Sequence, residues 1–217
     1  MCNAYCILFG AINLKPEEVE GKRVIEIGSY DTNGTLRPLV ESYRPREYIG
    51  VDIVEGPGVD MICRAEDILG KFGKESFEVI ISTELIEHIQ DWRKVVHNIK
   101  NIGKPGGIFL ITTRSFGAPY HGHPYDFWRY ECEDMKYIFS DCLIEKLEKD
   151  PLKGVFVKVK KPAKFAERNL SDYKLYSILL NRRVKEIAEK DFKKYSKRLI
   201  MKKKIKNFLS SAKGLLS

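Results

Sequence analysis

The sequence predicts an α/β fold built on a mostly parallel, seven-stranded sheet, with helices on both faces and an antiparallel strand at one edge. Short β-branched apolar runs alternate with segments whose apolar residues recur every three or four positions, which is typical of βαβ units. The last two candidate strands are separated only by residues 150–154. That spacer is short enough for a hairpin, and a hairpin pairs its strands antiparallel.

Seven runs predict strands because each is short, rich in Val, Ile or Phe, and bounded by glycine, proline or polar residues. They are residues 24–28, 48–52, 60–63, 77–82, 108–112, 143–147 and 155–159. Helical periodicity predicts helices at residues 36–43, 65–71, 91–102 and 133–139. The apolar stretch 2–12 is expected to pack on the core as a helix or a strand.

Composition excludes several protein classes. The 217 residues are 43% hydrophobic and 31% charged, which excludes global disorder and collagen-like repeats. No apolar run approaches the ~20 residues that span a bilayer, and the first residues lack the basic region and cleavage site of a signal peptide. The five cysteines are widely spread without a C-x-x-C pair, which argues against a disulfide framework or a zinc site. A cytoplasmic location is therefore expected.

The positive charge is concentrated at the end of the chain. Residues 182–217 hold 13 basic and 3 acidic side chains, whereas residues 1–181 hold 25 basic and 27 acidic ones. We therefore predict a globular domain at 1–163 and a basic, amphipathic helical extension at 164–217. Its stretch 201–216 could lie on an anionic membrane, pair with nucleic-acid phosphates, or pack on its own domain or a second copy. We expect nucleic acid less than membrane, and the oligomeric state stays open.

A glycine-containing turn and an acidic strand end form the first chemical signal. Gly28 ends the first strand, where a glycine lets a ligand approach the backbone closely. Asp52 ends the second strand, where a carboxylate can accept hydrogen bonds from both ribose hydroxyls. This pair alone would also suit an NAD enzyme, but the absence of a tight G-x-G-x-x-G argues against a dinucleotide.

The ordered set of motifs is more specific. VIEIG, YIGVD, RAED, FEVIISTELIEHIQDW and KPGGIFLIT, between residues 21 and 162, together resemble the class I S-adenosylmethionine (SAM)-dependent methyltransferases. The resemblance implies a Rossmann-like sandwich, an enzyme, and SAM as the cofactor.

The resemblance also implies cofactor-binding residues. Glu26 would support the turn or reach the methionine part of SAM, Asp52 would bind the ribose, and Ile53 would pack on adenine. The backbone of Gly28 and Ser29 would contact the methionyl group. The remaining implied contacts are Tyr30 and Gly34 in a lengthened turn, Ala65 and Glu66 at the adenine edge, and Ser82 and Thr83 after the fourth strand.

Two departures from the family pattern affect these assignments. Tyr30 stands where the second glycine of the turn is usual, and Arg64 stands where many relatives have an aspartate that holds the adenine amino group. Adenine recognition would then depend on Glu66, Asp67 or the backbone.

The acceptor side is predicted in the aromatic loop 113–130, which follows the fifth strand and could cover the cofactor. His121 or His123 is the expected general base for a hydroxyl acceptor, and Glu84 and Asp126 are further candidates. His121, His123 and Asp126 are also metal-ligand types, but we predict no metal because such a loop can serve acid–base or structural roles. His88 is expected to stabilise a helix start.

These observations predict methyl transfer from SAM to a small-molecule, sugar or lipid-linked hydroxyl. The alternatives are an RNA methyltransferase that uses the basic tail and a SAM-binding protein without catalytic activity. The slightly acidic body argues against RNA, and so does STEL at the place of an N/D-P-P-Y/F motif.

Overall fold

The computed structural model describes residues 3–122, 125–198 and 201. Within them the strands are β1 (Arg23–Ile27), β2 (Glu47–Asp52), β3 (Met61–Ile62), β4 (Phe77–Thr83), β5 (Gly103–Arg114), β6 (Trp128–Arg129), β7 (Leu143–Asp150), β8 (Gly154–Lys160), β9 (Leu175–Ser177) and β10 (Arg182–Val184). The helices are α1 (Ala4–Asn13), α2 (Pro16–Val19), α3 (Arg37–Ser42), α4 (Ile68–Phe72), α5 (Trp92–Ile102), α6 (Cys132–Ile138) and one at residues 189–198.

The main sheet has seven strands in the order β3-β2-β1-β4-β5-β8-β7. The first five pair in parallel, whereas β8 runs antiparallel to both β5 and β7. The predicted α/β class and mostly parallel seven-stranded sheet are confirmed. The antiparallel strand lies at the predicted end of the sheet, between β5 and the last strand β7.

Apolar side chains cover both faces of the sheet. Successive residues of a strand point to opposite faces, so Ile25 and Ile27 contribute to one buried cluster and Val24 to the other. The amphipathic α5 packs on the first face, and α1 on the second. The apolar residues 2–12 were predicted as a helix or a strand, and residues 4–13 form the helix, whose N-cap is Asn3.

A second sheet joins the predicted loop 113–130, which contains β6, to the segment predicted as helix, which contains β9 and β10. Strands β10, β9 and β6 pair antiparallel, and the β9–β10 turn contains Asn181 with φ of 54°, a conformation that asparagine tolerates well. Val184 and Ile187 are spaced like a helix face, but Val184 lies in β10 and the carbonyl of Ile187 accepts a hydrogen bond from Gln90. Tertiary pairing overrides the local periodicity here. A helix starts at residue 189, and residues 199–217 lie outside the described part except for Met201.

Within the described ranges, the helices are too short or too polar for any of them to cross a lipid bilayer.

Candidate functional site: the carboxyl edge of the sheet

The turn after β1 packs closely on β2. The backbone amides of Gly28 and Ser29 both donate to the carbonyl of Val51, at 2.8 and 3.1 Å. Gly28 has φ of +80°, and a Cβ atom there would lie 3.0 Å from the side chain of Leu85. The positive φ and this contact both favour glycine directly after β1, and the predicted contact of Gly28 with a ligand stays a prediction.

Glu26 lies buried beneath this turn. Its carboxylate accepts hydrogen bonds from the hydroxyls of Tyr48 and Thr35. Burial raises the pKa of Glu26 to about 7, although the two hydroxyls and the charge of Arg37 oppose the shift. The carboxyl group therefore supports the turn through the side chain of Thr35.

Asp52 is held at the end of β2 by two backbone amides. One oxygen accepts from Ile53 at 2.7 Å and the other from Tyr30 at 3.1 Å. Each carboxylate oxygen can accept more than one hydrogen bond, so both keep capacity for a ligand hydroxyl. Ile53 beside it is half exposed, which leaves an apolar surface next to the carboxylate.

Tyr30 and Gly34 shape the lengthened turn. The ring of Tyr30 lies against Gly56, where a Cβ atom would be only 2.1 Å from the ring. The amide of Gly34 donates to Asp31 at 2.8 Å, and Gly34 has φ of +114°. A Cβ atom at Gly34 would lie 2.8 Å from Ile7, so α1 packs directly on this turn.

Ala65 and Glu66 occupy a 3₁₀ turn after β3. The buried Ala65 accepts a hydrogen bond at its carbonyl from Asn98 on α5, at 2.9 Å. Glu66 pairs with Arg64 at 2.8 Å, so the arginine that departs from the family pattern engages a predicted adenine contact.

Ser82 and Thr83 are buried at the end of β4. The hydroxyl oxygens of Ser82 and Ser29 have no hydrogen-bond partner among the described residues. Unsatisfied buried hydroxyls are costly unless a ligand or water completes them. Together with Gly28 and Asp52, they fit a polar cofactor bound across the ends of β1, β2 and β4.

Glu84 directly follows β4 in a left-handed backbone conformation, with φ of 55°. Its buried carboxylate forms an ion pair with Arg114. Burial and the nearby Glu87 raise the pKa of Glu84 well above its ordinary value, and Arg114 opposes this.

Asp126 positions His121. Its carboxylate accepts two hydrogen bonds from the buried Arg129, at 2.5 and 2.7 Å, and binds both the backbone amide and the Nδ1 atom of His121, at 3.0 and 2.9 Å. Burial raises the pKa of an aspartate, but Arg129 and His121 outweigh it and hold the pKa of Asp126 well below its usual range. Asp126 is therefore a positioning residue, and the predicted role as a free base does not fit it.

His121 lies between two carboxylates. Partial burial lowers its pKa, but Asp126 and Glu87 outweigh burial and raise the pKa to about 9. This differs from the sequence-based expectation of a histidine that titrates near neutral pH. His123, the second predicted base, lies outside the described residues.

Sequence reasoning missed Glu87 as a site residue and assigned His88 to a helix start. Glu87 is fully buried in the 3₁₀ turn after β4, and the hydroxyl of Thr113 donates to it at 2.8 Å. Its second oxygen lies 3.9 Å from His88 and 3.7 Å from His121. The adjacent acid and histidine directly after a strand were the available signal.

A cleft of about 440 Å³ opens beside His121. It is lined by Asn3, Ala4, Asn33, Arg114, Ala118, Pro119, His121 and Leu152. The start of α1, the turn after β1 and the loop after β5 thus enclose a space large enough for a small organic molecule.

A family model described as a methyltransferase domain matches residues 7–143, from α1 to the first residue of β7. The chain belongs to the class I SAM-dependent methyltransferases. The match includes β1 to β5 and, with them, Glu26, Asp52, Glu87 and His121.

Two curated relatives of this methyltransferase carry the same name, ubiquinone biosynthesis O-methyltransferase. The protein from Idiomarina loihiensis is 26% identical over 120 residues, which cover 49% of this chain and 48% of the relative. The protein from Parvibaculum lavamentivorans is 34% identical over 59 residues, which cover 27% of this chain and 23% of the relative. The chain thus spans about half or less of the length of these relatives.

Solved structures share the fold of the methyltransferase. A SAM-dependent methyltransferase from Mesorhizobium loti superposes with a TM-score of 0.56 at 15% identity, over 72% of this chain and 98% of the other. A 1,6-didemethyltoxoflavin-N1-methyltransferase from Burkholderia thailandensis, solved with its acceptor and S-adenosylhomocysteine, gives a TM-score of 0.59 at 14% identity, over 72% and 78%. At these identities the likeness concerns the fold alone.

Proposed function

We propose that this chain transfers a methyl group from SAM to a hydroxyl of a small organic acceptor. The observation that carries the proposal is the carboxylate of Asp52, fixed by two backbone amides at the end of β2 beside the Gly28 turn. An acid at this place suits the two hydroxyls of a ribose. Family membership supports the same cofactor.

The chain's own residues would hold the cofactor in three ways. Asp52 accepts hydrogen bonds from the ribose, and the exposed side chain of Ile53 offers an apolar face for adenine. The unpaired hydroxyls of Ser29 and Ser82 supply polar partners beneath the turn. SAM supplies a methyl group already activated by a sulfonium, so most of the remaining task is to position the acceptor.

The acceptor would enter the cleft beside His121. The volume of the cleft and its polar lining, which includes Arg114 and Asn33, suit a small molecule or a sugar rather than a folded RNA. The names of the curated relatives, which are O-methyltransferases, favour a hydroxyl acceptor. A lipid-linked acceptor at a membrane would involve residues 201–216, and that contact stays a prediction because these residues, apart from Met201, lie outside the described part.

Binding of the cofactor is the first test. We expect titration calorimetry to give binding of SAM and S-adenosylhomocysteine, weakened at least about tenfold by Asp52→Ala, since two charge-assisted hydrogen bonds are lost. Glu55→Ala is the matched control, an exposed acid three residues along the same loop. Equal binding by the two variants would contradict the assigned role of Asp52.

Turnover separates the enzyme from a SAM-binding protein without activity. We expect transfer of a labelled methyl group to members of a panel of phenolic, sugar and lipid-linked hydroxyl compounds. Transfer to RNA alone would favour the alternative function, an RNA methyltransferase. Binding of SAM with no transfer to any member, in a folded protein, would contradict the proposed enzyme.

A further inference from the structure

We propose that Glu87, His88 and His121 form a site for a divalent transition-metal ion, with Zn²⁺ as the probe. The Oε1 atom of Glu87 and one ring nitrogen of each histidine all lie within 4.8 Å of one another. The Nε2 atoms of His88 and His121 are 3.9 and 3.7 Å from that oxygen. Ligands about 2.0–2.2 Å from a tetrahedral zinc are separated by roughly 3.3–3.6 Å. The two distances to Glu87 would therefore contract by a few tenths of an ångström, and the distance between the two histidine nitrogens, which is at most 4.8 Å, by up to about 1.5 Å.

The second ring nitrogen of each histidine is already hydrogen-bonded within the protein. The Nδ1 atom of His88 bonds the backbone carbonyl of Tyr125 at 2.5 Å. The Nδ1 atom of His121 bonds the carboxylate of Asp126 at 2.9 Å. Histidines that hold a metal usually donate their other ring N–H to a carbonyl or a carboxylate, which leaves Nε2 free for the ion.

Further hydrogen bonds fix the carboxylates of Asp126 and Glu87. Arg129 binds both oxygens of Asp126, and the hydroxyl of Thr113 occupies the Oε2 atom of Glu87 at 2.8 Å. Only the Oε1 atom of Glu87 therefore faces the two histidines. This two-layer arrangement orients the three donor atoms before any ion binds.

Two of the donor atoms have unmet polar capacity. The Oε1 atom of Glu87 and the Nε2 atom of His121 are buried and have no hydrogen-bond partner among the described residues. Glu87 itself is fully buried, with the imidazole of His121 beside its Oε1 atom, so an ion bound between the two would take over the compensation of the carboxylate charge. A bound ion would satisfy both atoms together.

The donor set indicates the class of ion. Two imidazoles and one carboxylate suit Zn²⁺ or another first-row transition metal, whereas Mg²⁺ and Ca²⁺ prefer oxygen ligands. Asp126, which the sequence suggested as a ligand, instead hydrogen-bonds the Nδ1 atom of His121, and Glu87 supplies the carboxylate ligand. Three protein ligands leave coordination positions open, as in catalytic zinc sites.

The position of the site gives it a role in the reaction, and this role rests on the proposed function. His121 lines the cleft assigned to the acceptor. A hydroxyl that coordinates a Lewis acid loses its proton more readily. The metal would therefore lower the pKa of an acceptor hydroxyl bound in the cleft, and its proton would pass to water there. The oxygen would then take the methyl group of SAM, with S-adenosylhomocysteine as the leaving group.

The test uses the full chain, stripped with chelator and titrated with Zn²⁺ by calorimetry. We expect one equivalent to bind, and each of Glu87→Gln, His88→Gln and His121→Gln to weaken binding at least about tenfold. The matched control is His97→Gln, because His97 lies on α5 and pairs with Glu167 away from this cluster. Circular dichroism and unfolding curves establish that each variant is folded.

A spectroscopic readout identifies the ligands without reference to activity. Co²⁺ in place of Zn²⁺ should give the strong visible absorption of a low-coordinate nitrogen and oxygen site, lost in the three ligand variants and retained in His97→Gln. Absence of binding by the folded chain would overturn the proposal, and so would binding that survives in all three variants, which would place the ion elsewhere. SAM binding is measured separately. Its absence would contradict the proposed function, whereas the metal site is decided by the binding of Zn²⁺ and Co²⁺.

Discussion

Glu26 illustrates how a single buried residue couples stability to pH. Its carboxyl group is buried against two hydroxyls, and burial raises its pKa to about 7 from an ordinary value of 4.5. Between these two pH values the folded chain retains a proton that the unfolded chain has released. Stability from this residue is therefore fully present below pH 4.5 and is lost as the pH rises toward 7.

We expect Glu26→Gln to remove this dependence. The amide keeps an acceptor oxygen for Tyr48 and Thr35 but does not titrate, so the variant should gain about 3 kcal/mol relative to the natural chain between pH 4.5 and pH 8. Urea unfolding of both proteins at pH 5, 6, 7 and 8 measures the difference. Parallel stability curves would show that Glu26 titrates normally.

At the scale of residues, sequence analysis predicts a contact best when it depends on local chain geometry. Gly28 and Asp52 could be assigned because a strand end, a turn and an acid are adjacent in the chain. The cluster of Glu87, His88 and His121 could not, because His121 comes from a loop 33 residues beyond His88. Nothing local indicates that the two rings will lie with centroids 4.8 Å apart.

At the scale of elements, a buried ion pair attaches α5 to the segment after α6. Lys100 is fully buried, and its ammonium group donates to the carbonyl of Ile138 and to the carboxylate of Asp141, both at 2.6 Å. The same carboxylate also accepts a hydrogen bond from the amide of Arg168 at 2.8 Å. One lysine thus connects three segments of the chain.

We expect Lys100→Met to destabilise the fold by about 3–5 kcal/mol, because Asp141 would remain buried without its cation. Lys94→Met is the matched control on the same helix: its partner Asp67 is 3.9 Å away and both side chains are more than half exposed. That variant should lose at most about 1 kcal/mol. Urea unfolding compares the two, and equal losses would refute the structural role of Lys100. Adding Asp141→Asn to Lys100→Met should recover part of the loss.

At this scale, the sequence does not reveal which polar side chains are buried or which short segments pair as strands. The periodicity of α5 predicted its buried Val95, Val96 and Ile99, but a lysine in such a helix is expected in solvent, and Lys100 is not. Strand β5 begins at Gly103, five residues before its predicted start, because Gly103 pairs with Phe77 of β4 across a register shift. Strand β9 was not predicted, because its three residues form a strand only through pairing with β6 and β10.

At the scale of the whole molecule, residues 164–198 share the core of the preceding domain. Leu170, Leu175 and Ile187 belong to the same buried cluster as α5 and α6, and Phe192 packs on Tyr125 at a ring distance of 4.7 Å. Arg93 on α5 donates to the carbonyls of Leu170 and Tyr173, at 2.8 and 2.5 Å. These contacts tie the segment to the loop that carries His121. Charge and periodicity suggested a separate extension because neither reveals which apolar residues are shared.

The domain boundary predicted at residue 163 can therefore be tested by truncation. We expect a chain that ends at residue 163 to be destabilised by several kcal/mol or to aggregate, because each fully buried Leu or Ile contributes about 1.5–3 kcal/mol and three are removed. A chain that ends at residue 198 is the control, since it keeps every one of these contacts. We further expect the full chain to unfold in one cooperative transition, seen alike by calorimetry and by tryptophan fluorescence, because Trp92 and Trp128 lie in the shared core. A stable chain of 163 residues with an unchanged Tm would instead establish that the first 163 residues fold as an independent domain.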